Sequence, residues 1–221
     1  MKIAILGGTG DEGLGLAMRW TKSGDEVIIG SRSEERALEA AHKVREVVPF
    51  GHVTGMANDA AAETAEVVIV SVPYGGQRDT LTALAPALAG KIVISVVVPL
   101  QFGKGGPKPV RVTEGSAAEE AWAILPDSRF ASAFHNLSAT KLMEVDSSLD
   151  CDVVVCSDDA EAKRVAFELA EKLEGVRALD GGGLGYSSVV EDLTALLISM
   201  NRRYKAHASV KFTGIDLAGA K

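Results

Sequence analysis

A short apolar run, a glycine-spaced turn and a helical pattern follow one another at the start of this chain, and that order constrains its fold more than any other feature. Lys2 to Leu6 (KIAIL) suits a buried strand, Gly7-Gly8-Thr9-Gly10-Asp11-Glu12-Gly13 follows at once, and Leu14 to Lys22 has helical spacing. Counted from Gly8, the glycines read G-x-G-x-x-G in the strand–turn–helix context of a dinucleotide-binding half-site. Gly8 permits the tight turn, Gly10 lets backbone approach a pyrophosphate, and Gly13 lets helix pack on strand. The helix N-terminus offers free N–H groups and a positive dipole end to the phosphates. Asp11 and Glu12 are expected to point outward and favour that N-terminus.

A second strand, Glu26 to Ile29, ends in Gly30-Ser31-Arg32. An NAD-selective site places Asp or Glu here to hold the ribose 2′-hydroxyl. This chain offers a hydroxyl and a guanidinium instead, which suits a 2′-phosphate. Arg36, one helical turn later, reaches the same place. The expected cofactor is therefore NADP(H).

The chain has 221 residues, 47% of them hydrophobic, enough for one large domain or one domain with an appendage. No apolar run approaches the roughly 20 residues that span a membrane. No basic n-region or cleavage site precedes the first strand, so a cytoplasmic location is expected. Cys151 and Cys156 flank an apolar core; on a strand they lie about 16 Å apart on opposite faces and cannot pair. Two cysteines and four scattered histidines give no metal-ligand spacing, and none is assigned. A formal charge of −7 with 5% aromatics argues against nucleic acid as a partner.

Further along, Ser33 to Val48 reads as a helix capped by Ser33, and His52 to Met56 as a short strand. Val67 to Val72 and Lys91 to Val98 are buried strands closed by Pro73 and Pro99, with Gln77 to Leu88 a helix between them. Gln101 to Val112, rich in Gly and Pro, reads as a long mobile loop. Ser116 to Leu125 is helical and Arg129 to Ala133 a strand. Asp152 to Cys156, Asp159 to Leu173 and Val176 to Leu179 form a further βαβ-like unit. Gly181 to Gly185 is a sharp flexible turn, and Val189 to Tyr204 a last helix, apolar enough to demand burial. The fold class is α/β: a Rossmann-type doubly wound, mostly parallel sheet with a small C-terminal helical extension. Residues 1–150 form the NADP-binding domain and 151–221 a small α/β extension.

Ligands in such sheets bind beyond the C-terminal strand ends, here Gly7–Gly13, Gly30–Arg32, Val72–Tyr74, Val98–Pro99 and Ala133–Ala139 (AFHNLSA). His135 suits a general acid or, equally, an orienting or packing group. Tyr74 either covers the nicotinamide or is a surface tyrosine. Lys104, Lys108 and Arg111 are either an anion-binding set or solvated loop residues, and Arg202, Arg203 and Lys205 form a second basic set. About 70 residues follow Asp150, too few for a dedicated polar catalytic pocket. A flat second cofactor stacked on the nicotinamide needs no such pocket, because hydride transfer between rings asks for position rather than acid–base groups.

MKIAILGGTGDEGLGLAMRW, the GSR at Gly30–Arg32, AFHNLSA, and DGGGLGYSSVVEDLTALLISMN resemble the NADPH-dependent coenzyme F420 reductases, also called F420H2:NADP oxidoreductases. The resemblance reaches to about Lys211. The N-terminal part is also similar to the oxidoreductase domain of membrane ferric reductases of the STEAP type. The resemblance implies direct hydride transfer between NADP(H) and C5 of a 5-deazaflavin, coenzyme F420, in a cytoplasmic homodimer, with the C-terminal extension supplying deazaflavin and dimer contacts. It places Thr9, Gly10, Asp11 and Glu12 over the pyrophosphate, and Ser31, Arg32 and Arg36 at the 2′-phosphate. Val72, Pro73, Val98 and Pro99 line the nicotinamide, and His135 and Ala139 complete the cofactor-binding residues. No residue is assigned as catalytic beyond positioning, with His135 the candidate. Ser138 stands where some members have proline, and the tail after Thr213 matches nothing in the family. Read without the resemblance, an NADPH-dependent flavin or ferric reductase and a non-catalytic NADP(H)-sensing module compete with this function.

Overall fold

The computed structural model describes residues 1–104 and 106–216. Its elements in chain order are β1 (Lys2–Leu6), α1 (Asp11–Lys22), β2 (Glu26–Ser31), α2 (Glu34–Val47), β3 (Val53–Ala57), α3 (Asn58–Thr64), β4 (Val67–Val70), α4 (Gln77–Leu88), β5 (Ile92–Ser95), β6 (Leu100–Gly103), β7 (Gly106–Pro109), α5 (Ala117–Ile124), β8 (Arg129–Ser132), α6 (Ala139–Met143), β9 (Cys151–Val155), α7 (Ala160–Glu171), β10 (Val176–Asp180) and α8 (Ser187–Tyr204). Six strands form one parallel sheet in the order β3-β2-β1-β4-β5-β8. This is the doubly wound arrangement expected, with the order reversing beside β1.

Burial on both faces explains the unbroken apolar runs. Along β1, Ile3 and Ile5 enter a core with Trp20, Ile29 and Leu169, while Ala4 and Leu6 enter the opposite one with Val68, Leu81 and Leu88. β9 and β10 form a separate two-stranded parallel sheet. An antiparallel bridge, Ser132 to Cys156, ties them to β8. α7 then packs beneath the large sheet, where Trp20 Nε1 donates to Leu169 O at 3.0 Å. The extension therefore shares a core with the first 150 residues. Both cysteines are free and buried. No helix among the described residues is long and apolar enough to cross a membrane.

Several expectations need correction. The segment Gln101 to Val112 is not a structureless loop: it holds the antiparallel hairpin β6–β7. Pro107 and Pro109 looked like loop residues, yet a two-stranded ribbon leaves outward positions where proline costs no hydrogen bond. The hairpin closes on Pro99, whose carbonyl accepts from Val110 N at 2.7 Å. It packs against α8. Helices α3 and α6 escaped the sequence reading because seven and five residues are too few to display a period. The turn at Gly181–Gly185 contains a 3₁₀ turn, Leu184–Tyr186, pinned by Gly182 N to Asp180 Oδ1 at 2.8 Å. α8 is not wholly buried: Val190 and Leu197 are, but Val189, Leu196 and Met200 are 67%, 55% and 40% exposed.

Candidate dinucleotide crevice

Five segments meet at the C-terminal edge of the sheet because the hydrogen-bond ladder runs past the strand ends. Gly8 N donates to Gly30 O (3.1 Å), Ser71 N to Leu6 O (2.9 Å), Val96 N to Val70 O (3.1 Å) and Ala133 N to Ser95 O (3.1 Å). The glycine turn and the β2 end thus share one rim with Ser71, Val96 and Ala133, the residues that lead into Val72–Tyr74, Val98–Pro99 and Ala133–Ala139.

The glycines take distinct parts in it. Gly7, outside the motif, is the left-handed residue of the turn, with φ +72°. A Cβ on Gly8 would strike Ile5 O at 2.8 Å, and one on Gly13 would strike Gly8 Cα at 2.7 Å. These two contacts close the turn and seat α1 on β1. A Cβ on Gly10 would meet nothing nearer than Gly7 O at 3.9 Å. Gly10 is therefore free of the protein's own packing, and its surface lies open for a ligand to approach the backbone. Asn58 went unnoticed in the sequence; its Oδ1 accepts from Gly7 N at 3.4 Å and fixes the turn from α3.

At the β2 end, Ser31 is buried and its Oγ accepts from Ser33 N at 3.3 Å. Ser33 caps α2, accepting from Arg36 N at 3.4 Å. Arg32 and Arg36 are exposed. Their guanidinium groups enter no ion pair among the described residues. Two unspent cations beside a serine hydroxyl, with no carboxylate closing β2, fit a 2′-phosphate. The geometry of Gly10 and these two arginines matches NADP(H).

Asp11 is exposed as expected, but Glu12 does not point outward: its Oε1 is shut from solvent and accepts no hydrogen bond. The spacing from Glu12 to Gly15 and Arg19 explains this, since both of those residues press against α6. Burial pushes the Glu12 carboxyl up to about 8.

At the far end, Val72 and Pro99 are buried, Val98 is half-buried and Pro73 is exposed. Phe134 adopts φ +71° while fully buried, a backbone state that costs a non-glycine residue of order 1–3 kcal/mol. Trp20 holds it edge-on, ring centroids 5.5 Å apart. The turn delivers His135, which is 2% exposed with neither ring nitrogen partnered. Burial lowers its pKa to about 4, so the ring is neutral at physiological pH. A neutral imidazole offers one donor and one acceptor and is a poor proton source. Thr194 Oγ1 of α8 donates to His135 O at 2.8 Å, anchoring the backbone. Ser138 caps α6, accepting from Lys141 N at 3.5 Å, and Ala139 opens that helix.

Tyr74 is half-buried and donates from its hydroxyl to Glu120 Oε2 at 3.1 Å. Burial, and then that bond, push its pKa up to about 12. Beside it, Glu191 of α8 accepts from Ala117 N and Ala118 N at 2.9 and 3.0 Å, capping α5. The two basic sets, far apart in sequence, come together: a Cβ on Gly106 would lie 3.5 Å from Arg202 Nη1. Arg111 pairs with Asp192 at 3.7 Å. An apolar cavity of about 190 Å³ is lined by Val154, Cys156, Tyr186, Val189, Leu193 and Phe212 among others.

Fold and crevice define a Rossmann-type dinucleotide-binding protein. Residues 2–99 match the family model described as NADP oxidoreductase, coenzyme F420-dependent. The F420-dependent NADP reductase of Methanothermobacter marburgensis is 45% identical, covering 97% of this chain and 99% of the relative. That of Methanocaldococcus jannaschii is 42% identical over 98% and 100%. A crystal structure of a putative F420-dependent NADP reductase from Arthrobacter superposes with a TM-score of 0.82 at 29% identity, covering 96% of this chain and 99% of the other. The chain belongs to the F420-dependent NADP reductase family.

Proposed function

We propose that this protein transfers a hydride between NADP(H) and the 5-deazaflavin coenzyme F420, as a cytoplasmic homodimer. The observation that carries the reading is the end-to-end identity, 42–45%, with relatives named for that activity. Gly8, Thr9, Gly10 and Gly13 cradle the pyrophosphate, and Ser31, Arg32 and Arg36 hold the 2′-phosphate. Val72, Pro73, Val98 and Pro99 border the nicotinamide, with His135 and Ala139 beside them. The nicotinamide supplies or receives the hydride, and the deazaflavin is its partner at C5. The protein's part is to hold two rings in a dry crevice at about 3–3.5 Å, which requires no nucleophile and no acid. His135, neutral and unpartnered, positions rather than protonates. Residues 1–150 bind NADP(H), and 151–221 contribute the deazaflavin and dimer contacts.

The exposed face of α8 supports the dimer. Val189, Leu193, Leu196 and Met200 recur every three or four residues, and the exposed members of this stripe continue into the apolar cavity. A stripe of that period on one helix is self-complementary across a two-fold axis, so its occupant is the same helix of a second copy. Sedimentation should give a dimer at micromolar concentration, and Leu196→Asp a folded monomer. A monomeric wild type, or a variant that stays dimeric, overturns the assembly.

Anaerobic turnover of NADPH with F420, FMN and FAD side by side tests the activity. Bleaching of F420 with little turnover of the flavins is expected. Turnover of a flavin alone, or binding of NADPH with no acceptor reduced, overturns the reading.

A further inference from the structure

Glu120 of α5 is a buried carboxylate, 6% exposed, whose donors come from one short stretch far away in the chain. It accepts from the Tyr74 hydroxyl at 3.1 Å and the Gln77 amide nitrogen at 3.4 Å, and it pairs with the Arg78 guanidinium at 3.3 Å. All three belong to the connection between β4 and α4 or to the first turn of α4. A carboxylate taken out of water needs such donors to satisfy it.

The seat of α5 does not depend on these bonds. Ser116 caps the helix, accepting from Glu119 N at 3.0 Å, and Glu191 of α8 accepts from Ala117 N and Ala118 N. The β4–α4 connection is the side that needs holding. Pro73 is exposed, and a Cβ on Gly75 or Gly76 would meet nothing within 4 Å. Two unpacked glycines give such a connection wide conformational freedom. Yet the same connection begins as a wall of the crevice. A Cβ on Gly7 would strike Val72 Cγ1 at 2.9 Å, and one on Gly13 would meet Ser71 Oγ at 3.2 Å. Gln77 has a second anchor, Ala117 O at 3.0 Å. The tether nearest the crevice is therefore the Tyr74 hydroxyl, one residue beyond Pro73.

We propose that Glu120 is a positioning residue for hydride transfer: through the Tyr74 hydroxyl it holds the Val72–Pro73 wall against which the nicotinamide is set. This rests on the hydride-transfer reading. Neither Glu120 nor Tyr74 moves a proton in the reaction. Rings that react at about 3–3.5 Å are sensitive to displacements of about 1 Å, so a loosened wall lowers the rate. Binding is carried by the glycine turn and the arginines at the β2 end, and it stays.

The test compares Tyr74→Phe, Glu120→Gln, Glu120→Ala and the double variant Tyr74→Phe with Glu120→Ala, each in the whole protein. Two readouts are taken: the single-turnover hydride rate from NADPH to F420, and the fluorescence of NADPH bound without an acceptor, which reports how firmly the reduced nicotinamide is held. Tyr74→Phe keeps the ring and removes only the tether. Its rate should fall about tenfold, the scale of one hydrogen bond to a charged group, with the NADPH dissociation constant changed less than about twofold. Its bound NADPH should fluoresce less than in wild type. Glu120→Gln keeps an acceptor for the hydroxyl, and its new amide can donate to Gln77 Oε1, which is buried without a partner. It should retain most of the rate. Glu120→Ala should fall as far as Tyr74→Phe, and the double variant no further, because both remove the same bond. Should Glu120→Ala not fold, Tyr74→Phe and Glu120→Gln still decide. A wild-type rate in Tyr74→Phe, losses that multiply in the double variant, or an equal loss of rate and NADPH affinity overturns the inference while leaving the hydride-transfer reading intact. Wild type that binds NADPH but does not reduce F420 overturns that reading and this inference together.

Discussion

At the β2 end of the crevice, Arg32 and Arg36 stand in solvent with their charges unspent. At the β8 end, His135 is sealed in the core with no charge at all. The first end is suited to recognise its ligand by electrostatics, the second by shape. Charge recognition tolerates movement, because a guanidinium on a flexible stem can follow its phosphate. Shape recognition does not, and the structure spends a strained, buried Phe134 to fix the segment that carries His135. Substitutions at the two ends should therefore fail differently: the first in affinity and cofactor choice, the second in the rate of the bound state.

The sharpest way to break this contrast is Arg32→Ala. Hydrogen bonds to charged groups contribute about 1.5–3 kcal/mol each, so NADP(H) should bind about 10- to 100-fold more weakly while NAD(H) is unaffected. Dissociation constants for both cofactors in wild type and variant measure it. An equal loss for the two would mean that Arg32 supports the fold rather than the 2′-phosphate.

His135→Ala is the counterpart at the other end. Positioning through a neutral ring should cost less than about tenfold in the single-turnover hydride rate, with NADPH affinity little changed. Loss of a general acid would cost about 10²–10⁴-fold. A rate lower by that larger factor would make His135 catalytic and erase the distinction between the two ends.

The two ends were not equally legible in the sequence. The glycine turn was legible because its spacing is local: Gly8, Gly10 and Gly13 lie between the end of β1 and the start of α1. Glu12 was misjudged because helix periodicity alone does not tell which face α6 covers. α6 itself is too short to show a period. Asn58 was invisible for a related reason: its contact with Gly7 spans 51 residues, and no local pattern marks it. The hairpin β6–β7 was missed because Gly and Pro signal a turn whether or not an edge strand surrounds them. The burial of α8 was overestimated, since an apolar helix face looks the same in sequence whether or not its own core covers it.

The hairpin gives the smallest expected effect and tests whether charge recognition is confined to the β2 end. It rises directly from Pro99 at the ring end, it carries Lys104 and Lys108 on the same short ribbon as Gly106, which lies against Arg202, and Arg111 already faces Asp192. The protein carries a net charge of −7, and F420, with its phosphate and polyglutamate tail, is anionic, so a local cationic patch is needed to offset repulsion. All of these side chains are exposed, and exposed pairs contribute only about 0–1 kcal/mol and are screened by salt. Lys104→Ala with Lys108→Ala should raise the Michaelis constant for F420 by about two- to fivefold at low ionic strength, leave that for NADPH unchanged, and flatten the salt dependence of F420 binding. If wild type and double variant give superimposable salt titrations, the hairpin is an ordinary solvated ribbon, and the ring end recognises its second ligand by shape alone.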